Sequence, residues 1–396
     1  MKTISLPSAG ERSLDIDPAF VHLIRGPGIA KASFPFGDEC WIVTDYRAVR
    51  QIYSDDAFTR VIEPPAAAPR TTRLVIAGPE TIGGTDRGGD NAARRVMRKL
   101  LCKESVDALY PMVLRRTEEL LDSIESSADP TFDMVADFTD RLPMDVLCHM
   151  LGVPATDGDY LRATIAAVFA DDNAVDETAA EGSLIELVGY VAELIRRPPV
   201  VPATDSMSQL ALIADAERLS KAEQLHVGMG LILAGYETTA VALPKLVYYL
   251  LSRYGRLNEA PLEDGSRYVD ELLRVVALGG GETLPWMVRK PVDICGQRLG
   301  PGEFVVPIIG AANLDPSVFA EPNTFDPCRK RFPHMSFGSG DRYCLGSAIA
   351  RSEISAAVSG LLNRFPNLHL EHSDASATWR FGHALWALES LIVVKG

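Results

Sequence analysis

Between Ser220 and Leu250 the chain carries a long helical run, and that run limits the fold more than any other stretch. Ser220 with Glu223 three residues on matches a capping box, which fixes where the helix starts. Its most apolar part, from Val227 to Tyr236, is bounded by His226 and Glu237, is too short to span a bilayer, and reads as a buried helix. Pro244 must cost this helix one backbone hydrogen bond and is expected to bend it. Helical periodicity also covers residues 91–102, 110–127, 137–151, much of 157–196, 269–276 and the stretch after Cys344 to Asn363. Strand signals are fewer. Cys40 to Thr44 is a β-favouring run followed by a helix over 45–55, and residues 284–309 alternate around the turn Leu299-Gly300-Pro301-Gly302. The expected fold is mainly α with smaller β sheets, in one domain over residues 1–396, with β-rich regions near the N-terminus and late in the chain. Residues 61–90, with Pro64, Pro65, Pro69 and the stretch GGTDRGGD, read as a long connection of the kind that covers functional sites.

Charge and cysteine usage narrow the function. Lys and Arg number 39 against 53 Asp and Glu, a net charge of −14, which argues against broad nucleic-acid binding. The first twenty residues lack the pattern of a secretory signal, so a cytoplasmic protein without membrane insertion is expected. Cys40, Cys102, Cys148, Cys295, Cys328 and Cys344 are scattered without CxxC spacing, unlike a disulfide framework or a structural zinc cluster.

Cys344 stands apart through its neighbours, Phe337-Gly338-Ser339-Gly340-Asp341-Arg342-Tyr343-Cys344-Leu345-Gly346. Glycines at 338, 340 and 346 let backbone N–H groups approach a sulfur closely, and the following helix presents its positive end to the same anion. A cysteine taken by itself would read as one more small buried hydrophobe. The ten residues together have the FGxGxRxCxG pattern, and on that pattern the chain resembles the cytochrome P450 family, above all soluble actinobacterial members that tailor natural products. The resemblance extends over nearly the whole chain and is what implies the P450 fold, a haem b cofactor and Cys344 as its axial iron ligand. It also implies Arg342 and Arg94 as partners of the haem propionates, with Arg289 and His334 as further candidates; without the resemblance, each of the four could be an ordinary surface or core residue. Relatives commonly carry a histidine four residues before the arginine at 94, where this chain has Asp90, so one propionate interaction is missing or replaced.

Ala234-Gly235-Tyr236-Glu237-Thr238-Thr239 matches the AGx(D/E)T motif of the family's central helix. Ala234 and Gly235 leave room for a flat cofactor and a diatomic ligand, and Thr238 can offer its hydroxyl to a nearby carbonyl. Cleaving an O–O bond needs two protons. Thr238 is the candidate for orienting the oxygen species and water, and Glu237 for relaying protons. Alone, the motif is equally a helix-interior hydroxyl beside a surface acid. Glu271-Leu272-Leu273-Arg274 matches ExxR, which the family pairs with an arginine matching Arg329 to lock the scaffold, while Ala312 to Pro316 resembles a further family segment. No GxSxG suggests an esterase, and no GxGxxG suggests a dinucleotide site.

Local basic clusters, Arg94, Arg95, Arg98 and Lys99 with Arg329, Lys330, Arg331 and Arg342, could steer an acidic ferredoxin served by a separate NAD(P)H-dependent reductase, or could be solvated charge. By family position the substrate pocket draws on residues 61–85, the 160–190 region and 279–288, with Leu233, Ala234, Val241, Leu284, Trp286 and Met287 as contacts; Trp286 could equally be core. The expected activity is monooxygenation of a hydrophobic or amphipathic small molecule with dioxygen, by hydroxylation or epoxidation. Oxidative coupling or ring formation without oxygen insertion, and a noncatalytic haem protein, are the alternatives.

Overall fold

A computed structural model describes residues 3–6, 14, 16–71, 92–170, 177–262, 267–278, 284–330, 333–380 and 385–396. The helices run in the order α1 (Pro18–Ile24), α2 (Tyr46–Ser54), α3 (Ala92–Leu100), α4 (Lys103–Ser126), α5 (Arg141–Leu151), α6 (Gly158–Phe169), α7 (Glu177–Arg196), α8 (Ser206–Ile213), α9 (Lys221–Gly235), α10 (Glu237–Tyr254), α11 (Arg267–Val275), α12 (Ile309–Ala312) and α13 (Ser347–Arg364). The strands are β1 (Ile4–Ser5), β2 (Ile29–Ser33), β3 (Cys40–Val43), β4 (Phe58–Thr59), β5 (Thr131–Asp133), β6 (Trp286–Val288), β7 (Val292–Ile294), β8 (Gln297–Leu299), β9 (Phe304–Pro307), β10 (His369–Leu370), β11 (Ala377–Arg380) and β12 (Ala387–Val394). The mainly α expectation with smaller β sheets holds.

Chain-distant segments build the main sheet, in the order β1-β2-β3-β9-β6-β4. β3 runs parallel to β9 with Cys40 opposite Phe304, and β4 runs antiparallel to β6 with Thr59 opposite Met287. The N-terminal and late β regions are therefore one sheet, which positions residue 60 beside residue 286. A second sheet orders β10-β12-β11 with β5 on β12, and β7–β8 form a hairpin whose turn places Cys295 and Gly296 at φ 49° and 74°.

α9 begins at the expected capping box: the Ser220 side chain accepts from the Glu223 N–H, and Glu223 accepts from the Ser220 N–H at 2.8 Å. The helical run does not continue unbroken to Leu250. It is interrupted at Tyr236, while Pro244 lies inside α10 without ending it. Lys221–Tyr254 as a whole is long and apolar enough to cross a membrane, but the side chains of its most apolar window are mostly buried within the protein. α4 also departs from expectation, starting at Lys103 rather than near Tyr110 with Pro111 inside it. Pro111 is exposed, so the carbonyl that loses its donor can turn toward water.

Among the described residues the apolar cores are four, of which two contain parts of the central helix and a third lies on the β-sheet side. α4, α10, α11, α13 and β12 enclose one around Leu243, Val247, Leu272 and Leu361. At Gly360 a Cβ would lie 2.9 Å from both Thr117 Cγ2 and Leu121 Cδ1, so glycine sets the close approach of α13 to α4. A second core joins Val96 and Met97 of α3 to Leu231, Tyr236 and Ala240, and Leu345 packs against it. The β-sheet side forms the third, containing Tyr53, Phe58, Trp286 and Val305.

Candidate haem-thiolate site

The loop before α13 is shaped by short bonds and left-handed glycines. Gly338 donates to the Met335 carbonyl at 2.7 Å, and the Cys344 N–H donates to the Phe337 carbonyl at 2.8 Å. Gly338 sits at φ +70°, where a Cβ would meet Tyr53 Cε1 at 2.9 Å, so no other residue fits without displacing that ring. At the loop's end the Cys344 side chain is accessible, and the N–H groups of Gly346 and Ser347 bond to its sulfur. Burial by surrounding protein pushes the thiol above its ordinary pKa; the two N–H donors and the charges of Arg94 and Arg351 oppose it, with burial prevailing. A metal bound at this sulfur would displace that proton, and the N–H donors would remain to temper the thiolate.

A polar frame holds the loop. Glu271 takes Arg274 in a two-pronged pair at 2.7 and 2.8 Å, and Arg329 Nε at 3.0 Å. Arg274 also donates to the carbonyls of Asn313, Pro322 and Thr324 at 2.9, 2.7 and 3.1 Å. The ExxR–Arg329 triad thus anchors the segment leading to the cysteine. Asn313 fixes the loop's entrance, accepting from the Met335 N–H at 2.6 Å and donating to Ser336 Oγ at 2.8 Å.

His334 belongs to this frame. Its Nε2 lies 3.3 Å from Asp270 Oδ1, which also accepts from Arg351 Nε at 2.7 Å. Burial works against the Asp270 charge, but hydrogen bonds from His334 and Arg351 outweigh it and hold the carboxyl down at about 2. Arg351 stacks 4.3 Å from the Phe337 ring, tying this cluster to the loop. Arg94 reaches the loop from α3, donating to the carbonyls of Asp341 and Tyr343 at 2.7 and 3.0 Å. Arg342 is buried. Arg289 is exposed and donates to the Asp56 carbonyl at 3.2 Å, beside β4. Asp90 lies outside the described residues.

On the central helix, Thr238 Oγ1 donates to the Ala234 carbonyl at 2.9 Å. That carbonyl is satisfied by a side chain where the ladder breaks at Tyr236, which explains the interruption. Ala234 and Gly235 are exposed although Leu231, Ile232, Tyr236 and Glu237 around them are buried. Accessible small residues in the middle of a mostly buried helix leave its backbone open to approach, as a flat cofactor needs. Glu237 is 2% exposed, which removes its reading as a surface acid. The Tyr236 hydroxyl donates to Asp140 Oδ1 at 2.8 Å, and Arg162 stands 3.7 Å from the other oxygen. Burial, then the nearby Asp140 carboxylate, pushes the Tyr236 phenol far up, so it stays a donor.

Among the pocket candidates, Leu233 and Met287 are half-buried, Val241 is buried and Leu284 is 42% exposed. Trp286 is wholly buried, packed edge-on against Tyr53 at 5.4 Å, and so belongs to the β-side core. Residues 279–283 and 72–91 lie outside the described residues. Sequence reading missed Arg60, Tyr53, Asp270, Arg351, Asp140 and Lys245. None stands at a recognisable spacing; each acquires its role through contacts across the chain. Lys245, 2% exposed, donates to the carbonyls of Leu278 and Trp386 at 2.6 and 3.2 Å, joining two segments far apart in the chain.

Comparison with known proteins agrees with this geometry. Residues 266–379 match the family model for cytochrome P450. The chain is 32% identical to nocardicin C N-oxygenase of Nocardia uniformis subsp. tsuyamanensis, covering 97% of this chain and 96% of that one. Among solved structures it is similar to the LnmA cytochrome P450 hydroxylase of the leinamycin pathway of Streptomyces atroolivaceus S-140, with a TM-score of 0.88 and 31% identity over 99% of this chain and 100% of that one. It is also similar to cytochrome P450mel 107F1, described as having biaryl coupling reactivity, with a TM-score of 0.92 and 29% identity over 99% and 100% of the two chains.

Proposed function

The chain belongs to the cytochrome P450 family, and from that premise we propose that it is a monooxygenase that inserts one oxygen atom into a small-molecule intermediate of secondary metabolism. Family membership brings haem b with an axial cysteine thiolate, and the residues present fit it. Cys344 is accessible with N–H donors at its sulfur, and Ala234 and Gly235 leave space in the central helix. We assign Cys344 as the iron ligand, with Arg94 and Arg342 as propionate partners.

The observation that carries the oxygen-inserting reading over passive haem carriage is the broken turn at Ala234–Thr238 beside the buried Glu237. When bound, the haem supplies dioxygen activation, in which two electrons and two protons leave one oxygen atom in the substrate and the other in water. The protein's part is to place protons. Thr238 holds its hydroxyl at the break, able to accept from water while it donates to Ala234. Glu237, next to it, carries protons inward, and the Tyr236–Asp140 bond keeps the turn from rotating away. The Glu271 triad and the Asp270 cluster hold the ligand loop and touch no reacting atom.

Electrons come from separate partners. The partner assigned here is an acidic ferredoxin docking beside Arg98, Lys99 and Lys330, which are all exposed; Lys99 also pairs with Glu217. The relatives' reactions, N-oxygenation, hydroxylation and coupling, differ, so product mass decides. Reconstitution with a ferredoxin and its reductase, after a spectral screen of candidate intermediates, should give products heavier by one oxygen atom. Loss of two hydrogens would assign coupling or ring formation instead. A carbon monoxide complex lacking the red-shifted thiolate band would refute the haem-thiolate assignment itself.

A further inference from the structure

Arg60 is a half-buried cation whose inaccessible Nε is a hydrogen-bonding group left over. It follows β4, whose pairing of Thr59 with Met287 brings residue 60 alongside Trp286 of β6. Its guanidinium carbon lies 4.6 Å from the centre of the Trp286 ring and 5.7 Å from that of Tyr53. The Tyr53 hydroxyl is a distant acceptor, 3.5 Å from Nη2, and Nε is inaccessible with no hydrogen-bond partner among the described residues. Burial is the leading influence on the group and lowers its pKa, and no carboxylate among the described residues opposes it. An arginine cannot shed its proton to escape this cost, and stacking on aromatic rings does not replace an anion.

The position points to the anion. Tyr53, on which Arg60 rests, is the ring that Gly338 of the cysteine loop must accommodate. Arg94, which holds the same loop, feels Arg60 as a repelling charge. Two guanidinium groups near enough to repel beside the cysteine loop favour a carboxylate between them, and an arginine fork resting over a tryptophan ring is already partly ordered to receive one. We propose that Arg60, held on Trp286, binds a carboxylate at the haem edge, a propionate of the cofactor, and so replaces the interaction lost where Asp90 stands for the family's usual histidine.

This inference rests on the haem-thiolate reading, which the red-shifted carbon monoxide band of the wild-type protein tests separately. The experiment measures cofactor transfer from substrate-free holoenzyme to an excess of a haem-scavenging apoprotein. Wild type, Arg60→Met and Arg60→Lys are each loaded with haem or with its dimethyl ester, in which the propionates carry no charge. Arg60→Met should speed haem loss about tenfold, the size of one charge-assisted hydrogen bond, while changing loss of the ester by less than about twofold; Arg60→Lys should fall between. Equal acceleration for haem and ester would show a packing role only and overturn the proposal. So would unchanged haem loss with weakened spectral binding of a carboxylate-bearing substrate, which would move the anion from cofactor to substrate.

Discussion

The two sides of the site are built on opposite plans. Around Cys344, charged and polar side chains from α3, α11 and α13 and from the segment 313–336 bond to one another and to loop carbonyls across long stretches of chain. At Ala234–Thr238 the construction is sparse: a hydroxyl bonded one turn back, a tyrosine tied to Asp140, and small residues facing a gap. A metal ligand must hold its sulfur at one place, and redundant anchoring does that. Oxygen and substrate need space and movable protons, which such anchoring would fill. Rigidity is concentrated at the cysteine loop and openness at the Ala234–Thr238 turn.

The largest test of this contrast is Cys344→Ser. It should abolish turnover and the red-shifted carbon monoxide band while leaving stability of the cofactor-free protein within about 0.5 kcal/mol, as expected of an accessible side chain. A retained thiolate-type band would move the ligand elsewhere. Glu271→Gln should come next, because it leaves two buried or part-buried guanidinium groups, Arg274 and Arg329, without their carboxylate. The expected cost is about 3–5 kcal/mol by denaturant unfolding, with poor haem incorporation. A change below 1 kcal/mol would mean the proximal frame is not what holds the loop.

Thr238→Val probes the sparse side. It keeps the shape and removes the hydroxyl, so product per electron pair should fall about 100-fold while substrate-induced spectral shifts and stability stay near wild type. Loss of substrate binding in step with turnover would show that the threonine shapes the pocket rather than placing protons. Asp270 gives a smaller, pH-dependent test. Its folded pKa, about 2, lies below the unfolded value of about 3.9, so its contribution is present above the unfolded value and lost as pH falls toward 2. Because the side chain is 40% exposed, screening reduces that contribution to about 1 kcal/mol. The stability gap between wild type and Asp270→Asn should be measurable at pH 7, be roughly halved by about pH 3 and close only below about pH 2. The smallest effect belongs to Arg98→Ala, which should slow ferredoxin-dependent reduction a few-fold at low salt and leave substrate affinity unchanged.

Motifs in which the chemistry needs neighbours in sequence were legible without coordinates. The cysteine loop, the Ala234–Thr239 turn and the Glu271–Arg274 pair each lie within a few residues, so together they carry the family resemblance that implies their roles. The capping box at Ser220 and the helix after Asp45 were readable from local spacing. The break at Tyr236 was not placed, since Pro244 drew the expected bend to itself. A proline costs one bond wherever it stands, whereas the carbonyl taken by Thr238 matters only where the helix opens onto a gap.

What the sequence alone determined, then, is the mostly helical architecture, which periodicity encodes, and, through the resemblance that its motifs carry, the family. Tertiary structure decided which partner within the protein each charge meets. His334 turned to Asp270, Arg289 to the β4 edge, and Arg60, in no motif at all, came to rest on Trp286 because β4 pairs with a strand more than two hundred residues away. A charged side chain is read by the partner it meets, and only strand pairing and helix packing decide which partner that is.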